Sequence, residues 1–271
     1  VRPLSVVIIT FNEEQNIARC IASVRQIADE IVVLDSYSTD DTVSIAENMG
    51  ARVHLEKFRG YIGQKNAAIR LARFDLVLSL DADEALDDEL AEAILHQKED
   101  TEFNAGNMNR CTSYCGHFIK HGLWYPDRKT RLFDRRVAEW GGLNPHDKIQ
   151  LSKGIPVKHL PGNILHYSFE TPADLVWQNN RLSSIAATSL LAAGKRTNLL
   201  RIVIHPFWAF FNGYFLRRGF MDGFDGWTIA IHSAYQVFMK HSKLYRLQRR
   251  YRSGKISKLS LPGERKISAN V

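Results

Sequence analysis

The sequence predicts an α/β protein, a mostly parallel, Rossmann-type sheet flanked by helices, with a C-terminal helical extension. Three observations point there. Short β-branched runs alternate with helical periodicity through the first half of the chain, as right-handed βαβ crossovers require. Polar or acidic residues close three of those runs, at Asn12-Glu13, Asp35 and Asp81-Ala-Asp83. From Thr171 the pattern turns to long apolar helical segments and a basic tail. The expected division is a sheet domain carrying the chemistry over residues 1–170 and a helical region over 171–271.

Leu4 to Thr10 holds Val6, Val7, Ile8 and Ile9 and is too short for a helix, so it reads as a buried strand. Asn12 is the expected N-cap of a helix in which Ile17, Ile21 and Val24 recur at helical spacing. Ile31 to Leu34 is the second strand, ending at Asp35, and Ser38-Thr-Asp-Asp-Thr42 offers caps for a helix closed by Gly50. Arg52 to Leu55 is the third strand. Residues 60–73 form a loop and a helix with Gln64-Lys65-Asn66 near its start.

Leu76 to Leu80 is apolar on both faces and stops at Asp81, Asp83 and Glu84. Asp81 and Asp83, two apart, project from one side of an extended segment. Two hard oxygen ligands so placed suit a divalent cation that keeps waters and holds a diphosphate. The competing reading is an acidic turn opening the next helix, where Asp87, Asp88 and Glu89 gain from the helix dipole. Acids at three separate strand tips along one sheet edge favour a site.

Between Asn104 and Phe169, Pro, Gly and aromatics increase and the strands are expected to be mixed or antiparallel. Thr171 is the expected N-cap, with Pro172 at the first position, of a helix running to Gly194. Leu199–Leu216 and Trp227–Met239 are apolar, aromatic-rich helices joined by residues 217–226. The first carries His205, Pro206, Asn212 and Gly213 and reads as an interfacial amphipathic element, an oligomer contact or a helical cap rather than a span.

The chain has 271 residues and a formal charge of +7. From Lys240 onward there are ten Lys/Arg and one acid, Glu264; the rest carries 26 basic and 28 acidic residues. The basic character therefore belongs to the tail, as for a segment that meets an anionic surface. Three cysteines cannot all pair, Cys20 falls on an apolar helix face, and the first apolar run reads as a strand rather than a leader; a reduced, cytosolic chain is expected. The first strand is followed by no G-x-G-x-x-G and the chain holds no P-loop. Cys111 and Cys115 with His117 and His121 lack the C-x-x-C spacing of a zinc site. No base-stacking module supports a nucleic-acid partner.

Thr10-Phe-Asn-Glu-Glu14, Asp35 with Ser38-Thr-Asp-Asp-Thr42, and Leu80-Asp-Ala-Asp-Glu84, in that order, resemble the family 2 glycosyltransferases of the GT-A fold. Gln64-Lys-Asn66, Arg131-Leu-Phe133 and Gly219-Phe-Met-Asp-Gly-Phe-Asp-Gly226 resemble more narrowly the branch that adds sugars to the lipopolysaccharide inner core, including β-1,4-glucosyltransferases. The general motifs span residues 4–150 and the narrower likeness runs to 245.

That resemblance implies a GT-A-like sheet and site roles. Thr10, Phe11, Glu13 and Asp35 would hold the nucleotide base, with Phe11 replacing a common tyrosine. Lys65 would lie near the nucleotide and Asp81 toward the ribose. Asp83 and His166 would bind Mg2+ or Mn2+ bridging the diphosphate. Asn144-Pro-His-Asp147 aligns with a His-Glu pair whose carboxylate acts as base, which makes Asp147 the candidate and Glu84 the local rival. Arg128 or Arg131 would assist the leaving diphosphate, because charge gathers there as the bond breaks.

The implied activity is inverting, metal-dependent transfer of a sugar, glucose from UDP by resemblance, to a saccharide or lipid-linked saccharide. The implied place is the cytoplasmic face of the bacterial inner membrane, held peripherally, with a homo-oligomer allowed and no nucleic acid. The alternatives are a sugar-phosphate nucleotidyltransferase, which usually shows a Gly-rich basic loop after the first strand, and a nucleic-acid binder using the tail.

Overall fold

The computed structural model describes residues 1–143 and 146–255, without the side chains of Leu143 and His146. His146 as a candidate side chain, the Asn144-Pro145 step and the end of the basic tail thus lie outside the described residues. The chain divides into two compact units, one made of Val1–Ser113 and Tyr125–Ser168, the other of Tyr114–Trp124 and the chain from Phe169 onward.

The first unit is built on β1 (Leu4–Thr10), α1 (Ile17–Val24), β2 (Glu30–Asp35), α2 (Thr42–Asn48), β3 (Arg52–Leu55), α3 (Tyr61–Leu71) and β4 (Leu76–Asp81). Then come β5 (Glu84–Leu86), α4 (Asp88–Glu99), β6 (Ala105–Tyr114), and, after β7 (His117–Phe118) of the other unit, β8 (Asp127–Asp134), β9 (Ala138–Leu143), β10 (His146–Leu151) and β11 (Lys158–Phe169). The main sheet runs in the order β3-β2-β1-β4-β8-β6-β11-β5. β3, β2, β1 and β4 are parallel, as the βαβ pattern predicts. β8 pairs antiparallel with β4 and β6, and β5 antiparallel with β11, so the Pro- and Gly-rich middle completes a mixed sheet. β9 and β10 form a separate antiparallel hairpin.

The alternation along β1 explains the two cores. Leu4, Val6 and Ile8 face Ile17 and Ile21 of α1 and Leu90 and Ile94 of α4. Val7 and Ile9 face Ala67 and Ala68 of α3, with Phe133 and Trp140. A strand buried on both sides has no polar face to spare, so its polar residues appear only at its tip. β1 is flanked by β2 on one side and β4 on the other, which puts the crevice of this doubly wound sheet beside Thr10 and Asp81.

One element differs from expectation. Asn12 is no N-cap: α1 begins five residues later, and Asn12 has φ +51. Its Oδ1 accepts from the Thr39 N–H at 2.8 Å and its own N–H donates to Ser38 Oγ at 2.8 Å. The Glu13 N–H donates to Thr42 Oγ1 at 2.7 Å, and the Asp41 N–H to Glu14 at 3.1 Å. The polar runs after β1 and β2 thus fasten to each other instead of capping helices. Gly162 in β11, which the sequence does not single out, is required by packing. At φ +84, a Cβ there would lie 2.3 Å from the Leu90 backbone nitrogen, so only glycine lets the start of α4 approach the strand.

The second unit holds α5 (Pro172–Ala192), α6 (Leu199–Phe211), a π-helical turn (Asn212–Leu216), a 3-10 turn (Gly219–Asp222) and α7 (Gly223–Arg252). Thr171 and Asp174 form a reciprocal capping box at the start of α5. α7 is longer than the apolar stretch Trp227–Met239, because it carries on through the basic residues to Arg252. The Gly219–Gly226 motif is structural here. Asp222 accepts from the His121 N–H at 2.9 Å and its other oxygen lies 2.9 Å from His121 Nδ1; Asp225 lies 2.9 Å from His117 Nδ1. A Cβ on Gly226 would meet the Gly219 carbonyl at 1.8 Å. Both histidines of the dismissed zinc pattern are taken by these carboxylates. Trp124 packs 5.1 Å from Phe169 by ring centroids, as core.

Candidate active site

The site is assembled from the carboxyl tip of β4. Asp81 lies beside Ile9 of β1, and Thr10 beside Asp35 of β2, so the three strand ends form one rim. At its centre stands Lys65, projected from α3 and almost fully buried. Its Nζ is 3.1 Å from Asp81 Oδ1 and 2.9 Å from Asp147 Oδ2. Asp147 reaches it from the β9–β10 hairpin. Arg131 of β8, also buried, donates to Asp81 Oδ2 at 3.0 Å and to Glu84 Oε1 at 2.7 Å. Trp140 lies beneath both cations, its ring centroid 4.4 Å from Lys65 Nζ and 5.2 Å from Arg131 Cζ.

Burial alone would raise the Asp81 pKa, but the Lys65 and Arg131 charges and hydrogen bonds hold it well below the ordinary carboxylate range. For Arg131, burial favours the neutral form, yet Glu84 and Asp81 keep it more firmly protonated than an ordinary guanidinium. Glu13 shifts the other way: burial raises its pKa, its hydrogen bond from Asn16 opposes this, and Asp83, Asp40 and Asp81 add to the rise.

Asp83 and His166 meet because β5 pairs with β11. Glu84 is opposite His166, and the Tyr167 N–H donates to the Asp83 carbonyl at 2.9 Å. His166 Nε2 is 3.2 Å from Asp83 Oδ2, while Thr112 Oγ1 lies 3.3 Å from Nδ1. A ring held at Nδ1 and turned with Nε2 toward a carboxylate is the donor arrangement of a metal ligand. No group of three or more His, Cys, Asp or Glu able to enclose an ion occurs among the described residues. The pair therefore fits an ion that takes its remaining ligands from a diphosphate and water, as Mg2+ and Mn2+ do.

The other expected residues fall as follows. Thr10 Oγ1 is buried with no hydrogen-bond partner, an orphan polar atom at the rim where a ligand group would dock. Phe11 is half-buried in the loop after β1. Asp35 is fully buried and accepts from the Ser38 N–H at 2.8 Å and from Ser38 Oγ, so it shapes the loop as well as facing the rim. Arg128 lies on β8 three residues before Arg131, across the register shift in the β6–β8 pairing, and is exposed. Arg131 alone of the two reaches the acidic cluster, and it contacts Asp81 and Glu84 from below.

Glu84 is corrected as the rival base. Its side chain is 0 % exposed, and Oε2 accepts from the Asp81 N–H at 3.0 Å while Oε1 accepts from Arg131. A carboxylate so enclosed braces the β4 tip and meets no acceptor. Asp147 keeps 17 % exposure. The sequence reading passed over Trp140 and Arg110, which lies 3.7 Å from Glu84. Trp140 had one visible signal, its place just before Gly141-Gly142 and the Asn-Pro-His-Asp stretch. Arg110 had none.

Two buried cations, Lys65 and Arg131, thus stand among three carboxylates, of which Asp81 and Asp147 keep partial exposure and Glu84 none. Residues 5–160 match the model of glycosyl transferase family 2. An uncharacterized glycosyltransferase of Rickettsia felis is 35% identical over 256 residues, covering 89% of each chain. The lipopolysaccharide core biosynthesis glycosyltransferase LpsC of Rhizobium meliloti is 27% identical over 250 residues, 90% of this chain and 92% of that one. The mannosyltransferase PcManGT of Pyrobaculum calidifontis, solved with GDP-Man and Mn2+, shares the fold at a TM-score of 0.53 and 15% identity over 90% of this chain and 87% of its own. The chain belongs to glycosyl transferase family 2.

Proposed function

We propose that this family member is a metal-dependent, inverting transferase that moves glucose from UDP-glucose to a saccharide of the lipopolysaccharide core or another lipid-linked glycan. The observation that carries this reading is the single ammonium of Lys65 shared by Asp81 and Asp147, which supports a base close to the donor. Thr10, Phe11, Glu13 and Asp35 line the base-binding rim, and Asp81 takes the ribose. Mg2+ or Mn2+ bound by Asp83 and His166 supplies positive charge to the departing diphosphate.

The rest is done by the chain. Lys65 and Arg131 neutralise the floor under the phosphates, and Trp140 keeps water from beneath them. The acceptor hydroxyl attacks the anomeric carbon from the face opposite the diphosphate. Its C–O bond forms as the glycosyl–phosphate bond breaks, and the hydroxyl proton passes to Asp147. The LpsC relative supports the acceptor class. A cytoplasmic location, peripheral on the inner membrane, follows from a lipid-linked acceptor. The nucleotidyltransferase and nucleic-acid readings lose their place with the family known.

The test is a thermal-shift screen of nucleotide sugars with and without Mn2+. UDP-glucose is expected to raise Tm only with the ion, and Asp83→Ala to erase that rise. A rise that persists in Asp83→Ala, or none with any nucleotide sugar, overturns the reading.

A further inference from the structure

The second unit carries an apolar surface that nothing in the first unit's chemistry uses. Leu200, Ile204, Phe207, Trp208, Phe211 and Phe215 recur at three- and four-residue steps along α6 and the π-helical turn, and all are exposed, Phe207 at 74%. On the other side of the same helix, Phe210 and Tyr214 meet Trp227 of α7 edge-to-face, each 5.2 Å by ring centroids. α6 is thus apolar on both sides, with one side covered by α7 and no residue of α6 fully buried. Such a helix requires an apolar neighbour outside as well as inside.

Charge identifies that neighbour. From residue 175 to residue 221 the chain has six Lys/Arg and no Asp or Glu. Lys195, Arg196 and Arg201 stand exposed before and within the start of the stripe, and Arg217 and Arg218 at its end. Aromatic and aliphatic side chains between basic flanks are complementary to acyl chains beneath anionic headgroups. A second copy of the chain would set these like charges against each other. We propose that the outward stripe of α6 and its π-helical turn is a docking surface for an anionic phospholipid bilayer.

The element lies on the bilayer and does not cross it. Leu199–Leu216, at 18 residues, is long and apolar enough to cross by length and composition, so its surroundings decide. Arg201 sits in its first turn, and its inner side is committed to α7. The proposal refines the location given above and rests on it only for the lipid-linked acceptor; the surface stands on α6 alone. It adds a contact on α6 to the one expected of the basic tail.

The experiment is flotation of the full chain with vesicles of phosphatidylcholine alone and of phosphatidylcholine mixed with phosphatidylglycerol. The wild type is expected to float with the anionic vesicles and less with the neutral ones. Phe207→Glu and Trp208→Glu should each lower the bound fraction about tenfold or more, with unchanged circular dichroism. Equal flotation of variants and wild type overturns the proposal, as does absence of flotation with both vesicles. A concentration-dependent dimer that Phe207→Glu dissolves, without vesicle binding, assigns the stripe to a second copy and also overturns it. The Mn2+-dependent UDP-glucose shift, read on the same preparations, reports on the transferase reading separately: a chain that floats but shows no shift keeps the surface and loses the donor.

Discussion

Lys65 Nζ lies 2.9 Å from Asp147 Oδ2, a bond between the third helix and the β9–β10 hairpin that spans 82 residues of sequence. The same nitrogen serves Asp81, so one cation couples the carboxylate proposed for the ribose to the proposed base. Anything that draws Lys65 toward a bound diphosphate loosens its hold on Asp147.

Lys65→Met removes that shared cation. Breaking a buried ion pair costs about 3–5 kcal/mol. Asp81 and Asp147 keep 26% and 17% exposure, which lowers the expected loss to about 1–3 kcal/mol. Urea unfolding measures it, and donor binding should fall with it. A variant as stable as wild type with donor affinity intact would show that Lys65 is a bystander.

Asp147→Asn and Glu84→Gln separate the two carboxylates. Asp147→Asn is expected to keep the Mn2+-dependent nucleotide shift while transfer drops about 10²–10⁴-fold. Glu84→Gln weakens the brace between Arg131 and the Asp81 N–H, so its first effect is a lower Tm. Full transfer by Asp147→Asn would place the base elsewhere.

Trp140→Phe retains a ring face for Lys65 and Arg131, whereas Trp140→Leu leaves both cations without one. A cation–π contact contributes about 0.5–2 kcal/mol, so the Leu variant should be the less stable by chemical denaturation. Equal stability of the two would mean that the indole acts only through its volume.

Gly162→Ala and Gly154→Ala contrast a crowded glycine with an open one. Both have positive φ, +84 and +86, but a Cβ at Gly154 meets nothing within 4 Å. Gly154→Ala is expected to cost about 1–2 kcal/mol from backbone conformation alone. Gly162→Ala must displace the first turn of α4, so its loss should exceed that of its partner by several kcal/mol or prevent folding. Comparable midpoints in urea would contradict the close approach.

His241 in the second unit gives a pH prediction. Burial first, then Lys240, His205 and Arg201, push its pKa down to about 4 from 6.5. Between those values the unfolded chain binds the proton and the folded chain does not, so stability falls as pH drops through that window and is unaffected above it. His241→Gln should flatten that part of the wild-type profile in thermal melts from pH 7 to pH 4. A parallel profile for the two proteins would show that His241 titrates normally.

The parallel half of the sheet was legible because a strand buried on both sides leaves no alternative to an unbroken apolar run, and its tips then announce themselves by their acids. The β4 tip was read for that reason. What escaped depends on partners distant in sequence. Asp83 and His166 were brought together by the family resemblance alone, because they meet through β5, a strand of three residues too short to show any period. Arg131 and Arg128 look equivalent in the sequence, and only the folded chain shows Arg131 turned toward Asp81. Asn12 had the composition of a helix cap, but Ser38 and Thr39 offered its polar groups better partners across the rim. Glu84 reads as one more acid of an exposed turn until β11 closes over it.

The stitching of the Asn12–Glu14 segment to Ser38–Thr42 has a kinetic meaning. Because both segments are already fixed by one another, the rim proposed for the nucleotide is preformed, and the freedom lost in the proposed docking is chiefly the ligand's own. Recognition there should behave as a rigid mould, with arrival rates little different among nucleosides and discrimination expressed in how long each one stays.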